Sequence, residues 1–153
     1  MFQTILWVTD FSLPARHAGR RALQCAECSH GTLYVLAVVD PEDLPVILDE
    51  MPDPFLKGDQ AEEINLQLEQ EYEQKVMEEL KKEVASLGPT QVPVEVMVRV
   101  GTPWKEIVRV AEELDVTLIV LGARGKRSLE NIILGSTAEN VARHAPCPVM
   151  IVR

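Results

Sequence analysis

Glycines and hydroxyl side chains with the potential to bind a phosphate group lie together between residues 122 and 137. Gly122 and Gly125 follow an apolar run, and nine residues separate Gly125 from Gly135, Ser136 and Thr137. A glycine lets a ligand approach backbone N–H groups with no Cβ in the way. Free N–H groups in the first turn of a helix bind phosphate, and the two hydroxyl groups can add donors. The spacing fits an anion-binding loop and, as the alternative, an ordinary strand-to-helix loop with solvated charges.

The local charge of this segment favours the anion. Arg124, Lys126 and Arg127 lie in the loop with only Glu130 against them. The whole chain is acidic, with 15 basic and 24 acidic residues among 153 and a net charge of -9. A local reversal of sign is what a polyphosphate pocket needs. Because the overall charge opposes non-specific binding to DNA, RNA or anionic lipid, we expect no nucleic acid or membrane partner.

Alternating strands and helices are predicted to position this loop. The apolar run at residues 116–121 is typical of a strand buried on both faces of a parallel sheet. Further strands are predicted at residues 5–8, 32–39, 92–100 and 149–152, with helices after the first four strands. The first helix is expected to stop at Gly31, and the second to run from residue 60 to 87. The alternation predicts one α/β domain over residues 1–153, with a parallel sheet, right-handed crossovers and helices on both faces.

The glycine spacing also carries a specific resemblance. Gly122-x-x-Gly125, nine residues and then Gly135-Ser136 resemble the nucleotide-binding signature of the universal stress protein (UspA) family, in its ATP-binding branch. The flanks at residues 118–122, 135–141 and 147–149 and the turn at residues 101–103 are similar too. The resemblance implies a Rossmann-like fold with strand order 3-2-1-4-5. It also implies bound ATP, or AMP or ADP, with Mg²⁺ or Mn²⁺ bridging the phosphates. Ala138 stands where relatives often offer a hydroxyl, which puts one phosphate contact in question.

The expected strand order places the ligand. In open α/β sheets, ligands bind outside the carboxyl ends of the strands where the order reverses, here between the first and fourth strands. Asp10 ends the first of these and Gly122 the fourth, so both arguments indicate one crevice. We expect Asp10 near the ribose or adenine, with a helix cap as the alternative. By resemblance, Val38 lines the adenine pocket. The predicted cofactor-binding residues are Val8, Thr9, Asp10, Val38, Leu121, Gly122, Arg124, Gly125, Gly135, Ser136 and Thr137.

Cysteines and histidines offer a weaker pattern. Cys25 and Cys28 lie three residues apart near the end of the first helix, with His30 close in sequence. No second cysteine pair accompanies them, so buried or half-buried thiols are favoured over a metal or redox site. His17 and His144 show no partner pattern and are predicted to be surface residues. The chain also lacks the Gly-x-x-x-x-Gly-Lys pattern of P-loop proteins and the Gly-x-Gly-x-x-Gly pattern of dinucleotide-binding proteins.

The expected function is nucleotide-responsive regulation or binding in the cytoplasm, because the start of the chain lacks a secretory signal pattern. No general base or nucleophile is evident around the loop, so no catalytic residue is predicted. The alternatives are a slow ATPase or nucleotidyl-transfer enzyme, and a dimeric interaction module without nucleotide. The last strand is predicted to be an apolar edge, which is an aggregation hazard unless paired. We therefore expect a homodimer formed through this strand, as the resemblance also implies.

Overall fold

A computed structural model of the chain describes residues 1–43, 58–126 and 131–153. The strands form one five-stranded sheet in the order β3-β2-β1-β4-β5, and all neighbouring strands are parallel. The strands are β1 (Thr4–Val8), β2 (Thr32–Val39), β3 (Val94–Val100), β4 (Leu118–Gly122) and β5 (Val149–Val152). The helices are α1 (Leu13–Ser29), α2 (Gly58–Ala85), α3 (Pro103–Glu113) and α4 (Ser136–His144), with a short 3-10 turn at Pro41–Asp43. The predicted fold and strand order are confirmed.

Two hydrophobic clusters, one on each face of the sheet, explain the layering. On one face α1 and α2 pack on residues such as Trp7 and Val35. On the other face α3 and α4 pack on Leu6, Leu36 and Ile119. Successive residues of a strand point to opposite faces, so each strand contributes to both clusters. We refer to these as the α1/α2 cluster and the α3/α4 cluster.

Two strands begin two residues later than the sequence predicts. The N–H of Val116 donates to the carbonyl of Ala111 at 2.9 Å and so still belongs to the end of α3. The N–H of Val92 donates to the hydroxyl of Thr90 at 3.1 Å, which holds this residue in a turn before β3. In both cases a local hydrogen bond takes the N–H that a longer strand would need.

Close packing of α1 against the sheet depends on Trp7. The indole is fully buried and its Nε1 donates to the carbonyl of Ala15 at 2.9 Å. Gly19 lies directly against the ring, and a Cβ there would be 2.4 Å from Trp7 Cζ2. Ala18 and Ala22 on the same face are also fully buried, so the helix packs closely through small residues. This packing brings the start of α1 close to the carboxyl ends of β1 and β4.

The end of α1 differs from the prediction in one respect. The left-handed residue that ends the helix is His30, with φ 50°, and not Gly31. Gly31 is restricted for another reason, because a Cβ there would lie 2.7 Å from the carbonyl oxygen of Phe2. The glycine therefore allows the close approach of two backbone segments, which sequence alone does not distinguish from a helix stop.

The long helix α2 is amphipathic. Its residues Tyr72, Val76, Leu80 and Val84 pack against the α1/α2 cluster, which gives the helix one apolar face. The helix ends at Ala85, and Gly88 takes a left-handed φ of 93° just beyond it. None of the helices in the described ranges has the length and apolar character needed to cross a bilayer. The sequence from residue 40 to 58 is rich in proline and acidic residues, which predicts a long loop. Most of this segment lies outside the described residues, and so do Arg127 and Glu130.

Candidate functional site

A crevice of about 640 Å³ opens at the carboxyl ends of β1, β2 and β4, where the strand order reverses. α2, α3 and the start of α4 complete its walls. All eleven residues predicted to bind the cofactor line it: Val8, Thr9, Asp10, Val38, Leu121, Gly122, Arg124, Gly125, Gly135, Ser136 and Thr137. The structure therefore brings the whole predicted set together, and direct ligand contact by each residue stays a prediction.

The turn after β1 delivers Asp10 to the crevice. Thr9 is 2% exposed, and its N–H continues the pairing with β2 by donating to Leu36 O at 2.9 Å. Its hydroxyl accepts a hydrogen bond from the N–H of Phe11 at 3.0 Å. Phe11 takes a left-handed φ of 66°, so the chain reverses sharply between the strand and α1. A non-glycine residue in this region is uncommon and is held here by the Thr9 hydroxyl.

Asp10 joins the end of β1 to the loop that follows β4 and carries Gly125, which we call the glycine loop. Its Oδ1 accepts from the N–H of Ser12 at 3.0 Å, and its Oδ2 accepts from the N–H of Lys126 at 2.8 Å. The alternative of a helix cap is not what the structure shows, because Ser12 is the N-cap residue of α1 and accepts from Ala15 N at 3.4 Å. Asp10 instead fixes the loop that carries Gly125. Its contact with ribose or adenine stays a prediction.

The first two glycines of the motif have a steric role in the folded chain. A Cβ at Gly125 would lie 2.6 Å from Asp10 Oδ2. A Cβ at Gly122 would lie 2.9 Å from the backbone nitrogen of Ala15. Contacts this short require neighbouring atoms to move, so both glycines allow close approach within the protein itself. Part of the motif is therefore needed to build the crevice, whatever binds there.

We expect Asp10→Ala to release the glycine loop. A charge-assisted hydrogen bond contributes about 1.5–3 kcal/mol, so the loop should open more often without it. The measurement is hydrogen exchange of the Lys126 amide, which should become at least about tenfold faster in the variant. Asp10→Asn is the matched control for shape, since its single carbonyl oxygen can replace only one of the two acceptors. Unchanged exchange in Asp10→Ala would show that Asp10 does not hold the loop.

The N-terminus of α4 presents backbone donors to the same crevice. Gly135 is buried as the N-cap residue, and its N–H donates to Ala123 O at 2.6 Å. This bond anchors the helix start to the end of β4. The N-cap Gly135 has no side chain to cap the first turn, in which Ser136 is exposed and Thr137 half-buried. First-turn N–H groups and the helix dipole favour an anion at this position.

Comparison with known proteins agrees with this geometry. The family model of the universal stress protein family matches residues 1–153. The chain belongs to this family. Universal stress protein MJ0531 of Methanocaldococcus jannaschii is 32% identical over 100% of this chain and 83% of that protein. Universal stress protein MJ0577 of the same organism is 30% identical over 100% of this chain and 96% of that protein.

Solved structures show the same likeness. A structure of MJ0577 is 31% identical, covers 99% of this chain and 96% of that chain, and gives a TM-score of 0.73. A universal stress protein solved in complex with cAMP is 25% identical, covers 99% of this chain and 97% of that chain, and gives a TM-score of 0.64. The fold that forms the crevice is therefore also found in solved structures of similar proteins.

Charges of both signs line the crevice of this universal stress protein. Arg124 and Lys126 are exposed on the glycine loop, and the Lys126 ammonium lies 5.3 Å from the centroid of the Phe11 ring. Asp40 and Asp43 line the crevice from the segment after β2. Glu139, in the first turn of α4, also lines it and pairs with Arg143 at 2.9 Å. The basic loop is thus confined to the side of the crevice that holds the glycines.

Phe11, Lys126 and Trp104 line the crevice but are not among the eleven residues predicted to bind the cofactor. Lys126 is visible as a basic loop residue, but its contact with Phe11 depends on the left-handed turn after β1. The sequence assigns Trp104 only to the apolar face of its helix. The structure places it in the first turn of α3, beside the crevice and partly buried. No local sequence pattern distinguishes such a wall residue from a core residue.

The cysteines do not form a metal site with neighbouring ligands in the described ranges, where no group of three His, Cys, Asp or Glu residues converges. Cys25 is half-buried and Cys28 exposed. Burial raises the pKa of the Cys147 thiol above its ordinary value. His144 is exposed as predicted, but it has a partner that the sequence does not indicate, because its ring stacks on Trp104.

Proposed function

We propose that this chain is a nucleotide-responsive regulatory or binding module whose ligand is ATP or its products AMP and ADP. The observation that carries the proposal is the meeting of four features in one crevice. These are the glycine loop, its basic side chains, the N-terminus of α4 with its glycine N-cap, and the apolar side chains of Val8 and Val38. The universal stress protein solved with cAMP supports an adenine nucleotide as the ligand class.

The crevice has one polar end and one apolar end, which suits the two ends of a nucleotide. Phosphates are expected at the α4 N-terminus beside Arg124 and Gly135, where backbone donors and positive charge coincide. The base is expected against Val8 and Val38, which are half-buried at the ends of β1 and β2. Ligand sites commonly combine an apolar lining with a few polar groups that fix orientation.

A divalent ion fits this site as a companion of the phosphates. The described residues form no group of three acidic, His or Cys side chains that could hold a metal by themselves. Mg²⁺ keeps several waters and binds through one or two carboxylates and substrate phosphates. Mg²⁺ or Mn²⁺ would thus enter with the nucleotide and neutralise phosphate charge beside the acidic residues Asp40 and Asp43, which line the crevice.

Two carboxylates of the crevice are already engaged within the protein, which favours binding over rapid catalysis. Both oxygens of Asp10 accept hydrogen bonds from backbone N–H groups, and Glu139 pairs with Arg143. A general base must reach the proton it removes, and these hydrogen bonds orient both carboxylates toward groups of the protein. Slow hydrolysis through a water activated by the phosphates and their metal is the remaining enzymatic alternative.

Mass spectrometry of the purified protein tests the proposal. Denaturing the protein should release an adenine nucleotide at close to one per chain, or the protein should bind added ATP. At a free ATP concentration of about 100 times Kd, binding stabilises the folded state by about 2.7 kcal/mol, which a thermal melt detects. If the folded protein releases no nucleotide and its melting temperature does not change with ATP and Mg²⁺, the proposal is wrong.

We further propose that the chain forms a homodimer through β5. This strand lies at one edge of the sheet and pairs with β4 alone among the described strands. Its residues Val149–Val152 are apolar and half-buried. Unpaired apolar edges associate, and antiparallel pairing with a second copy about a two-fold axis would satisfy this one.

Light scattering checks the dimer, which we expect for the intact protein at micromolar concentration. Met150→Pro removes a backbone N–H from β5, so the dimer should give way to monomer or aggregate. Arg153→Ala, next to the strand, leaves its backbone N–H groups intact and should remain dimeric. A monomeric wild-type protein under the same conditions would exclude pairing through this edge.

A further inference from the structure

Trp104 occupies a position in the crevice that its sequence does not reveal. It lies in the first turn of α3 directly after Pro103, is partly buried and lines the crevice. It packs with the α3/α4 cluster, to whose margin Val8 and Val38 also belong. The indole is therefore on the same face of the sheet as the two valines at the apolar end.

The indole is held by a neighbouring ring. The imidazole of His144, at the end of α4, stacks on it with ring centroids 4.5 Å apart and an interplanar angle of 28°. Nδ1 of His144 lies 2.8 Å from the carbonyl oxygen of Asn140, which fixes the imidazole. The ammonium of Lys105 lies 5.6 Å from the indole centroid. A ring fixed in this way loses little conformational entropy when a ligand contacts it.

The other aromatic residues in the described lining are placed differently. Phe11 and Tyr72 both line the crevice, but they pack with the α1/α2 cluster on the opposite face of the sheet. The Phe11 ring also lies beneath the ammonium of Lys126. Among the described residues of the crevice, Trp104 is thus the aromatic side chain on the face that carries Val8 and Val38.

We infer that Trp104 contacts the base of the bound nucleotide and makes the crevice prefer purine over pyrimidine nucleotides. The inference rests on the proposed function and adds a specificity-determining residue to it. The polar end of the crevice is expected to hold the phosphates, which all nucleotides share. Contact with an aromatic side chain is favourable for any base, and the gain rises with the area of contact. A bicyclic purine makes a larger contact area than a monocyclic pyrimidine.

Calorimetry with three probes tests the role of Trp104. The probes are ATP, CTP and inorganic tripolyphosphate, each with Mg²⁺. Loss of an aromatic contact with a base weakens binding by about 10-fold, so Trp104→Ala should raise the Kd for ATP by this factor. The Kd for CTP should rise by less than about threefold, and that for tripolyphosphate should not change. Trp104→Phe keeps a smaller ring and should recover much of the ATP affinity.

Fluorescence provides a second readout that does not depend on the alanine variant folding. The chain has two tryptophans, and Trp7 is fully buried beneath α1. ATP should change the emission of the wild-type protein, while Trp104→Phe, which retains only Trp7, should give no change. Ile133→Ala is the control, because Ile133 is 77% exposed in the segment before α4 and does not line the crevice.

The possible failures are distinguishable. If wild-type protein binds ATP and Trp104→Ala binds it with the same Kd, the inference is wrong and the proposed function stands. An ATP-dependent emission change that persists in Trp104→Phe would likewise contradict the inference alone. If folded wild-type protein binds no ATP, the proposed function fails and the inference fails with it.

Discussion

Gly135→Val is expected to abolish ATP binding while leaving the protein folded. Gly135 is buried at the start of α4, lines the crevice and donates its N–H to Ala123 O. A branched side chain there would compete with phosphate for the space beside the first-turn N–H groups. The backbone of Gly135, with φ -71° and ψ 159°, is extended and open to valine, so the cause of the loss would be steric and local.

The expected size of this effect is a rise in the Kd for ATP of about 100-fold or more, which corresponds to about 2.8 kcal/mol. Calorimetry measures it, and circular dichroism verifies the fold of the variant. Ile133→Val is the matched control from the same segment, since its side chain is exposed and outside the crevice lining. Wild-type affinity in a folded Gly135→Val protein would show that phosphate does not bind at the start of α4.

Gly19→Val is expected to cause the largest loss of stability. A Cβ at Gly19 would overlap the Trp7 ring, at 2.4 Å from Cζ2 and 2.6 Å from Cε2. The ring has no room to move, because it is fully buried and its Nε1 is bonded to Ala15 O. Overpacking of a core costs about 1–3 kcal/mol and occasionally more, and two further methyl groups place this variant at about 4 kcal/mol.

Thermal denaturation measures this loss as a fall in the melting temperature of about 10 °C. Arg20→Ala on the exposed side of α1 is the control and should melt close to the wild-type protein. Trp7→Phe removes the ring atoms that Gly19 contacts, so the double variant should lose less than the sum of the two single losses. Equal melting of Gly19→Val and wild type would mean that α1 lies further from the sheet than the structure places it.

The strand order can be predicted from two sources, which are the alternation of strands with helices and the family resemblance. Strands 32–39 and 149–152 are continuous apolar runs of strand length, and the alternation with helices allows few topologies. The resemblance carried by Gly122, Gly125 and Gly135 then selects one order. Once the order is fixed, geometry alone brings Asp10 and Gly122 to the same crevice.

The roles of single residues within the crevice are harder to predict. The sequence places Asp10 in the crevice, but its bond to the Lys126 N–H joins residues 116 positions apart in the chain. From the sequence, ligand approach explains Gly122 and Gly125. In the folded chain, Gly122 also allows close approach to the backbone of Ala15, and Gly125 to the carboxylate of Asp10. Such contacts depend on tertiary distances that are not encoded in local spacing.

The position of Trp104 in the crevice also depends on tertiary structure. Its helix face is readable from the apolar positions of α3, but the stack on His144 depends on how α3 and α4 lie against each other. Helix packing angles follow from side-chain size at the contact and scatter widely around their preferred values. A residue of this kind is found only after the helices have been placed.

Titration of nucleotide-free protein with ATP and Mg²⁺ in a calorimeter is the most direct test of nucleotide binding in this crevice. We expect saturable binding of one ATP per chain in the wild-type protein and no measurable binding in folded Gly135→Val. The absence of binding heat in folded wild-type protein at several temperatures would contradict nucleotide binding here, as would equal binding by the two proteins.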